Sequence, residues 1–488
     1  MANAALIVLY LLAMLVIGTL SFGRSRSVSG FYVGSRTGGT WLITGSLLAS
    51  IVGGSSTLGI AGLGYSLGMV GAWWMLVAAA GLAIMSVWLS EKIRSYGVYT
   101  LPEILTAQYG SMPAGIVSSL LIIVAWIGVI AAQIIASGKI LTLLLPWDLT
   151  ATMAGVTAVM VLYTALGGQG SILRTDLVQA LIILAGILVC AAAAVAATGG
   201  PAAMAAALPP GHLSFPVSPS FGLADLLTFC LFVGSVFVVG PDIYSRLLCA
   251  RTPQIARRAS LLAACAMAPF AFAIAFIGVS ARLLLPDIPA ESAFPALVLH
   301  LLPAGLDALV IAALLAAVMS SADTCLLTTG AILVNDIVRP LTRTGIPDRT
   351  LILLSRAAVV VIGLASLVIA WRVQGVIGSL LLAYTIYSGG LVVPVLFGFF
   401  SGKFGLNSPG AVFAIVSGGA TAAWLKLAGY DNLLALSFPV SAAFLFAGSI
   451  AARRHGSQSR TVPAESGATG REAAERASGT GTHPGIDS

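Results

Sequence analysis

The sequence predicts an all-α polytopic membrane protein with about 13 transmembrane helices, and three observations carry that prediction. Hydrophobic residues make up 58% of the chain and charged residues only 8%, against about 25% charged in a soluble domain. Mean hydropathy is +1.03. The apolar residues fall in runs too long for the roughly ten-residue strands of a barrel, and an open sheet cannot satisfy its backbone groups in lipid.

The runs lie near 3–22, 40–62, 70–90, 114–145, 149–168, 176–198, 222–241, 259–284, 305–335, 350–371, 376–400, 409–428 and 431–451. No Lys or Arg precedes the first, while Arg24, Arg26 and Arg36 follow it. A secretory signal has the opposite polarity, so this run predicts an uncleaved anchor with its N-terminus outside. Alternation then places Lys92, Arg94, Arg174, Arg246, Arg251, Arg257 and Arg258 on the inner side. Arg339, Arg343, Arg349, Arg356, Lys403, Arg453 and Arg454 join them, and the outer ends keep Lys139, Arg282, Arg372 and Lys426. The formal charge of +7 is therefore expected in cytoplasmic loops at a cell (inner) membrane and implies no nucleic acid. An odd number of spans puts the C-terminus in the cytoplasm.

After Ala452 the composition turns to Ser, Gly, Thr, Arg, Glu and Pro, and 453–488 is expected to be a disordered cytoplasmic tail. Cys190, Cys230, Cys249, Cys265 and Cys325 show no metal-type or paired spacing and read as small core residues, not disulfides.

The ninth run contains AALLAAVMSSADT (312–324), with hydroxyls and a carboxylate inside an apolar helix. Ala317, Ser320, Ser321 and Thr324 follow i, i+3, i+4, i+7 spacing and share one face. A mid-membrane carboxylate costs about 2.5–3.5 kcal/mol on insertion scales, so Asp323 calls for a partner, a cation or a water-filled cavity. Two readings fit the serines: an oxygen-lined cradle for a hard monovalent cation, or back-bonding to i−4 carbonyls at a close helix contact.

Two runs are interrupted. In the second, ASIVGGSSTLGIAG (49–62) centres on Gly53-Gly54, and glycine costs about 1 kcal/mol relative to alanine in a helix. The seventh carries Gly234-Ser235 mid-span and Gly240-Pro241 at its inner end. Breaks at matching places five spans apart point to a transporter built from inverted repeats with its site at the midplane. Freed carbonyls would suit a cation, and freed N–H groups an anionic solute group. A glycine-packed helix pair is the alternative.

The motifs resemble those of the sodium:solute symporter family from about residue 21 to 400. The specific pieces are YTALGGQGSILRTDLVQ (163–179) and the run that opens with AAVMSSAD (316–323) and ends in Asn335-Asp336. Supporting pieces are YTLPE (99–103), FYVGSR (31–36) and YSRLLCA (244–250). The resemblance implies sodium-driven uptake of a small organic solute by alternating access, on a LeuT-type core of two inverted five-helix repeats. The implied division is an extra N-terminal helix and cytoplasmic loop (1–39), a first repeat (40–198), a second (199–400) and two peripheral helices (401–452).

It also implies a main Na⁺ site. Aligning on Gly59 and GLGYSLG (62–68) gives carbonyl donors at Ala49 and Val52, with the Ala317 carbonyl and the Ser320 and Ser321 hydroxyls from the ninth span. Asp176 matches an acid that in some members serves a second, more cytoplasmic sodium site or the exit path; a plain pairing with Arg174 or Arg246 at the interface is the alternative. Asp323 is placed in the same polar region.

For the solute the expected lining is Ser55, Ser56 and Thr57 at the first break, Gln133 on the fourth span, Phe232 on the seventh, and Tyr384 and Tyr387 on the eleventh. Phe229 and Phe237 are candidate gate residues. Core packing or an interface belt is the competing reading for the aromatics, and an interhelical hydrogen bond for Gln133. Sugar transporters of this family carry several amide and acidic groups near the first break. Small hydroxyls there point instead to an amino acid or short carboxylate.

Competing functions lack their signatures. A channel needs a continuous polar pore, and a sensor needs more than a 36-residue tail. An enzyme needs a catalytic set, whereas His212, His300, His455 and His483 fall in loops or the tail. Proton coupling on the same fold, with Asp176 or Asp323 as carrier, is the main rival. The identity of the solute and the oligomeric state are not written in the sequence.

Overall fold

Each long apolar run closes its backbone hydrogen bonds within itself, as lipid requires, and the result is a bundle of helices. The computed structural model of the protein describes residues 9–10, 12–16, 27–143, 147–342, 345–373 and 375–458. Helices α1 (Thr40–Ile51) and α2 (Ser55–Leu67) form one span bent by 60°. They are followed by α3 (Met69–Trp88), α4 (Met112–Leu141), α5 (Leu149–Gly167) and α6 (Gln169–Thr198). Next come α7 (Leu223–Cys249), α8 (Pro253–Leu284), α9 (Leu306–Leu341), α10 (Asp348–Val373) and α11 (Val376–Gly398). The last two are α12 (Ser408–Leu427) and α13 (Ser437–Gln458).

Counting the bent pair as one, twelve spans are long and apolar enough to cross a membrane among the described residues. The expected first span is described only at 9–10 and 12–16, helical there, where Gln179 on α6 donates to Tyr10 at 2.8 Å. The remainder of that span, and 459–488 of the expected tail, lie outside the described residues.

Polar residues in the connections start the helices. Asp148 accepts from the Ala151 amide at the head of α5, Thr252 from Ile255 before α8, and Asn407 from Gly410 before α12. Each satisfies an amide that a helix start leaves open.

Burial sorts the spans. The most apolar window of α9 is 94% buried, against 33% for α6. So α9 is the axis of the bundle, and α6 shows Leu181 and Leu188 outward. Apolar side chains pointing out gain nothing by pairing in lipid, so small residues bring the helices together. Gly278 on α8 lies against the Ala61 backbone of α2, where a Cβ would strike the carbonyl.

The two ends differ in charge. At one, Arg36 donates to the Gly97 and Val98 carbonyls, Arg94 to that of Ala250, and Arg257 pairs with Glu91. At the other, Lys139 pairs with Glu291, which also accepts the Val376 amide at 3.2 Å, and His212 Nε2 meets the Tyr65 carbonyl at 3.2 Å. One basic assignment changes: Arg246, expected in an inner loop, is fully buried in the half-helix Pro241–Cys249. Apolar neighbours on both sides and Pro241 in the first turn put that half-helix inside the bundle.

Candidate cation and solute site

The α1–α2 break decides which oxygens are free. Helix α1 ends at Ile51, and Val52 leaves the helix at φ −82°, ψ 60°. In an unbroken helix the Ala49 and Ser50 carbonyls would accept the amides four residues on, at Gly53 and Gly54. Here the Gly54 amide goes to Gln133 Oε1 at 2.9 Å. The two carbonyls turn to α9: Ser320 Oγ donates to Ala49 O at 2.8 Å, and Ser321 Oγ to Ser50 O at 2.6 Å. Both hydroxyls also reach Ala317 O, at 2.9 and 3.3 Å.

Three carbonyls and two hydroxyls thus converge where the bent span crosses α9. A Cβ on Gly53 would strike the Ser321 side chain, so glycine is what permits the close approach. Among the described residues no group of three or more His, Cys, Asp or Glu could hold a metal. A cation here would be held by neutral oxygens.

Of the expected ligands, Ala49, Ala317, Ser320 and Ser321 are brought together, and Val52 forms the break itself. Sequence reasoning missed Ser50, whose carbonyl meets Ser321; a helix ending at Ile51 would have signalled it. Ser50 Oγ also lies 3.2 Å from Thr324 Oγ1, which confirms that Thr324 shares the serine face.

A second polar layer lies beside the first. Asp176 on α6 and Arg246 on α7 are both fully buried, with Arg246 Nη2 donating to Asp176 Oδ2 at 3.1 Å. Ser46 on α1 donates to the same oxygen at 2.5 Å, and Arg246 also donates to Ser46, Ser245 and Thr324. Asp323 accepts from Tyr163 OH at 2.9 Å and from Thr324 at 3.3 Å. The partner of Asp176 is therefore Arg246, while Arg174 is exposed. The pair stands in the interior, not at the interface, and this network joins α1, α5, α6, α7 and α9 next to the serines.

The residues expected to line the solute path separate into groups. Ser56 Oγ donates to Ile51 O and Thr57 Oγ1 to Gly53 O, so these hydroxyls close the break upon itself. Ser55 is buried beside them. Gln133 makes the interhelical bond to Gly54. Tyr387 donates to the Val239 carbonyl at 2.6 Å, where α7 breaks at Gly240 (φ −64°, ψ 130°). Tyr384 stacks on Trp74 at 6.5 Å, and Trp74 meets Phe229 edge-on at 5.6 Å. Phe232 turns the other way, packing with Phe438, Leu425 and Leu434 of the peripheral helices. Trp74 and Trp126, the latter 4.7 Å from Tyr387, were not singled out from the sequence.

The family model described as "Sodium:solute symporter family" matches residues 31–418. Sodium/myo-inositol cotransporter 2 of Oryctolagus cuniculus is 29% identical over 465 residues, covering 85% of this chain and 68% of that protein. High-affinity proline transporter PutP of Bacillus subtilis (strain 168) is 24% identical over 451 residues, covering 88% and 94%. A solved Na⁺-coupled sialic acid symporter, substrate-bound and outward-open, matches with TM-score 0.79 at 18% identity, covering 93% of this chain and 98% of that one. Mhp1, a nucleobase-cation-symport-1 family transporter in a closed conformation, matches with TM-score 0.57 at 14% identity, covering 89% and 96%. These structural likenesses establish the fold, a LeuT-type core.

Proposed function

The chain belongs to the sodium:solute symporter family, and on that premise we propose how it couples the ion to its cargo. It is a sodium-coupled secondary transporter of a small organic solute. We place the ion among Ala49 O, Val52 O, Ala317 O, Ser320 Oγ and Ser321 Oγ. The observation that carries this is the meeting of the Ser320 and Ser321 hydroxyls with the carbonyls freed by the break. Na⁺ would replace the hydroxyl protons as partner of those oxygens, with each hydroxyl turning its lone pair inward. Five neutral oxygens bind the ion without a formal charge, which allows release.

Bound there, the ion braces the bent span against α9 and completes the solute pocket, a positive coupling between two ligands. Rocking of one repeat then opens the basic end. Asp176 and Asp323 lie beside the serines and supply a second ion position or the exit path. One Na⁺ crossing about 100 mV supplies about 2.3 kcal/mol, roughly 40-fold accumulation at about 1.4 kcal/mol per decade. The basic end faces the cytoplasm of a cell (inner) membrane, with the N-terminus outside and the C-terminus inside.

For the cargo we favour an amino acid or short carboxylate over a sugar. Relatives named for myo-inositol and for proline both match. At the first break the hydroxyls of Ser56 and Thr57 are turned onto their own backbone, leaving no array of polar groups for a sugar. Ser321→Ala tests the ion assignment: the half-saturating sodium concentration for uptake should rise at least tenfold, and an unchanged value removes Ser321 from the site.

A further inference from the structure

Of the cations expected at the outer ends, two are neutralised within the protein: Lys139 pairs with Glu291, and Lys426 with Asp431. Arg282, in the last turn of α8, forms no ion pair among the described residues. Its guanidinium is nevertheless held in place. The group lies 5.2 Å over the centre of the Tyr65 ring. Nη1 donates to Tyr65 OH at 3.4 Å and to the Pro286 carbonyl at 3.2 Å. Tyr65 OH in turn donates to the carbonyls of Leu285 and Pro286, which fixes the ring as well.

Both of these hydrogen bonds leave from one nitrogen. Nε and Nη2 form the edge of a guanidinium that takes two oxygens side by side. In Arg282 that edge has no hydrogen-bond partner among the described residues.

Arg282 lines a cavity of about 420 Å³ together with Tyr65, Ser66, His212, Pro219 and Ser220. One wall is the connection between α6 and α7, and it is pinned to the head of α3. The Met69 amide donates to the His212 carbonyl at 2.9 Å, and Trp73 Nε1 to the Pro216 carbonyl at 2.7 Å. His212 Nε2 meets the Tyr65 carbonyl at 3.2 Å, which ties the same wall to α2. The end of α2, the end of α8 and this connection therefore close round one space. Among the described residues no Asp or Glu lines it. Its lining offers a fixed positive charge and serine hydroxyls, with nothing negative to oppose an anion.

A basic side chain at a membrane edge commonly reaches for water or headgroups. That accounts for a cation at this level. It does not account for a guanidinium fixed on a ring and a carbonyl, its two-oxygen edge unused, beside a walled space without an acid.

We propose that this cavity is a binding site for a small oxyanion, a carboxylate or a phosphate, taken by the Nε–Nη2 edge of Arg282. The site is separate from the serine-lined ion site and does not depend on the symport reading. A halide has no pair of oxygens to span the edge and is held less well.

The test uses the purified full chain in detergent with choline salts and no sodium, so that the ion site stays out of play. Phenylglyoxal labels arginines, and peptide mass spectrometry reads each one. L-Lactate or inorganic phosphate should slow the labelling of Arg282 and leave that of Arg372, exposed at the end of α10, unchanged. Choline chloride at equal ionic strength and myo-inositol should protect neither. Arg282→Gln should weaken binding of the protecting oxyanion, radiolabelled, at least tenfold, while sodium still stabilises the variant against heat. If Arg282→Gln does not fold, the labelling of wild-type protein decides alone. Protection by phosphatidylglycerol in mixed micelles, but by neither free oxyanion, keeps the site and assigns it to a lipid headgroup. Equal protection by chloride, equal protection of Arg372, unchanged oxyanion binding in Arg282→Gln, or no protection by any of the three would each overturn the proposal.

Discussion

Arg246 and Asp176 form an ion pair at 3.1 Å with both side chains fully buried, joining α7 to α6 beside Ser46 of α1. Removing one partner of such a pair leaves an uncompensated charge and typically costs about 3–5 kcal/mol. Arg246→Met should therefore lower the thermal midpoint of the purified protein sharply. The double variant Arg246→Met/Asp176→Leu should recover part of the loss. Equal destabilisation by the single and double variants would show that the pair contributes packing and not charge.

Gly278 and Ala61 set how closely α8 approaches α2. A Cβ at position 278 meets the Ala61 backbone, which cannot move aside as a flexible side chain could. Gly278→Ala should destabilise by about 1–3 kcal/mol through overpacking, read as a lower denaturation midpoint in detergent. Normal stability would mean that α8 can shift without loss.

At the end opposite the basic one, Glu291 links two helices, pairing with Lys139 of α4 and accepting the Val376 amide at the head of α11. The pair is partly exposed, so Lys139→Ala should change stability by only about 0.2–1 kcal/mol. Glu291→Ala should cost more, since it also strands the amide. Thermal melts at low and high salt check both, and only the Lys139 effect should vanish at high salt.

His212 lies in the connection between α6 and α7, where burial and nearby Arg282 hold its pKa below the usual histidine range. The fold therefore favours neutral imidazole, and the unfolded chain binds a proton first as pH falls. Stability from this residue is present above about pH 6.5, the unfolded value, and is lost as pH drops toward the lower folded value. His212→Gln should flatten the pH dependence of the thermal midpoint as pH falls below about 6.5. An unchanged slope would assign it to other groups.

The rough positions of the spans from residue 40 onward were legible because lipid forces each one into a self-contained helix, and both breaks were legible because glycine marks them. The serine face of α9 was legible from its spacing. What was hidden depended on direction. The Ser50 carbonyl lies beside Ser321 because the helix ends one residue earlier than a break at Gly53-Gly54 suggests. Arg246 looked like a loop cation because charge counting cannot see that its half-helix points inward. Phe232 faces the peripheral helices because the π-turn Cys230–Gly234 shifts the facing of α7 there.

The central claim is that sodium is held between the broken span and α9. Purified protein in liposomes should concentrate its small organic solute when given an inward sodium gradient, and not when given a proton gradient alone. Ser320→Ala/Ser321→Ala should abolish that dependence while the protein remains folded. Uptake that follows protons alone, or that keeps its sodium dependence without both hydroxyls, would contradict the account and move the coupling to Asp176 and Asp323.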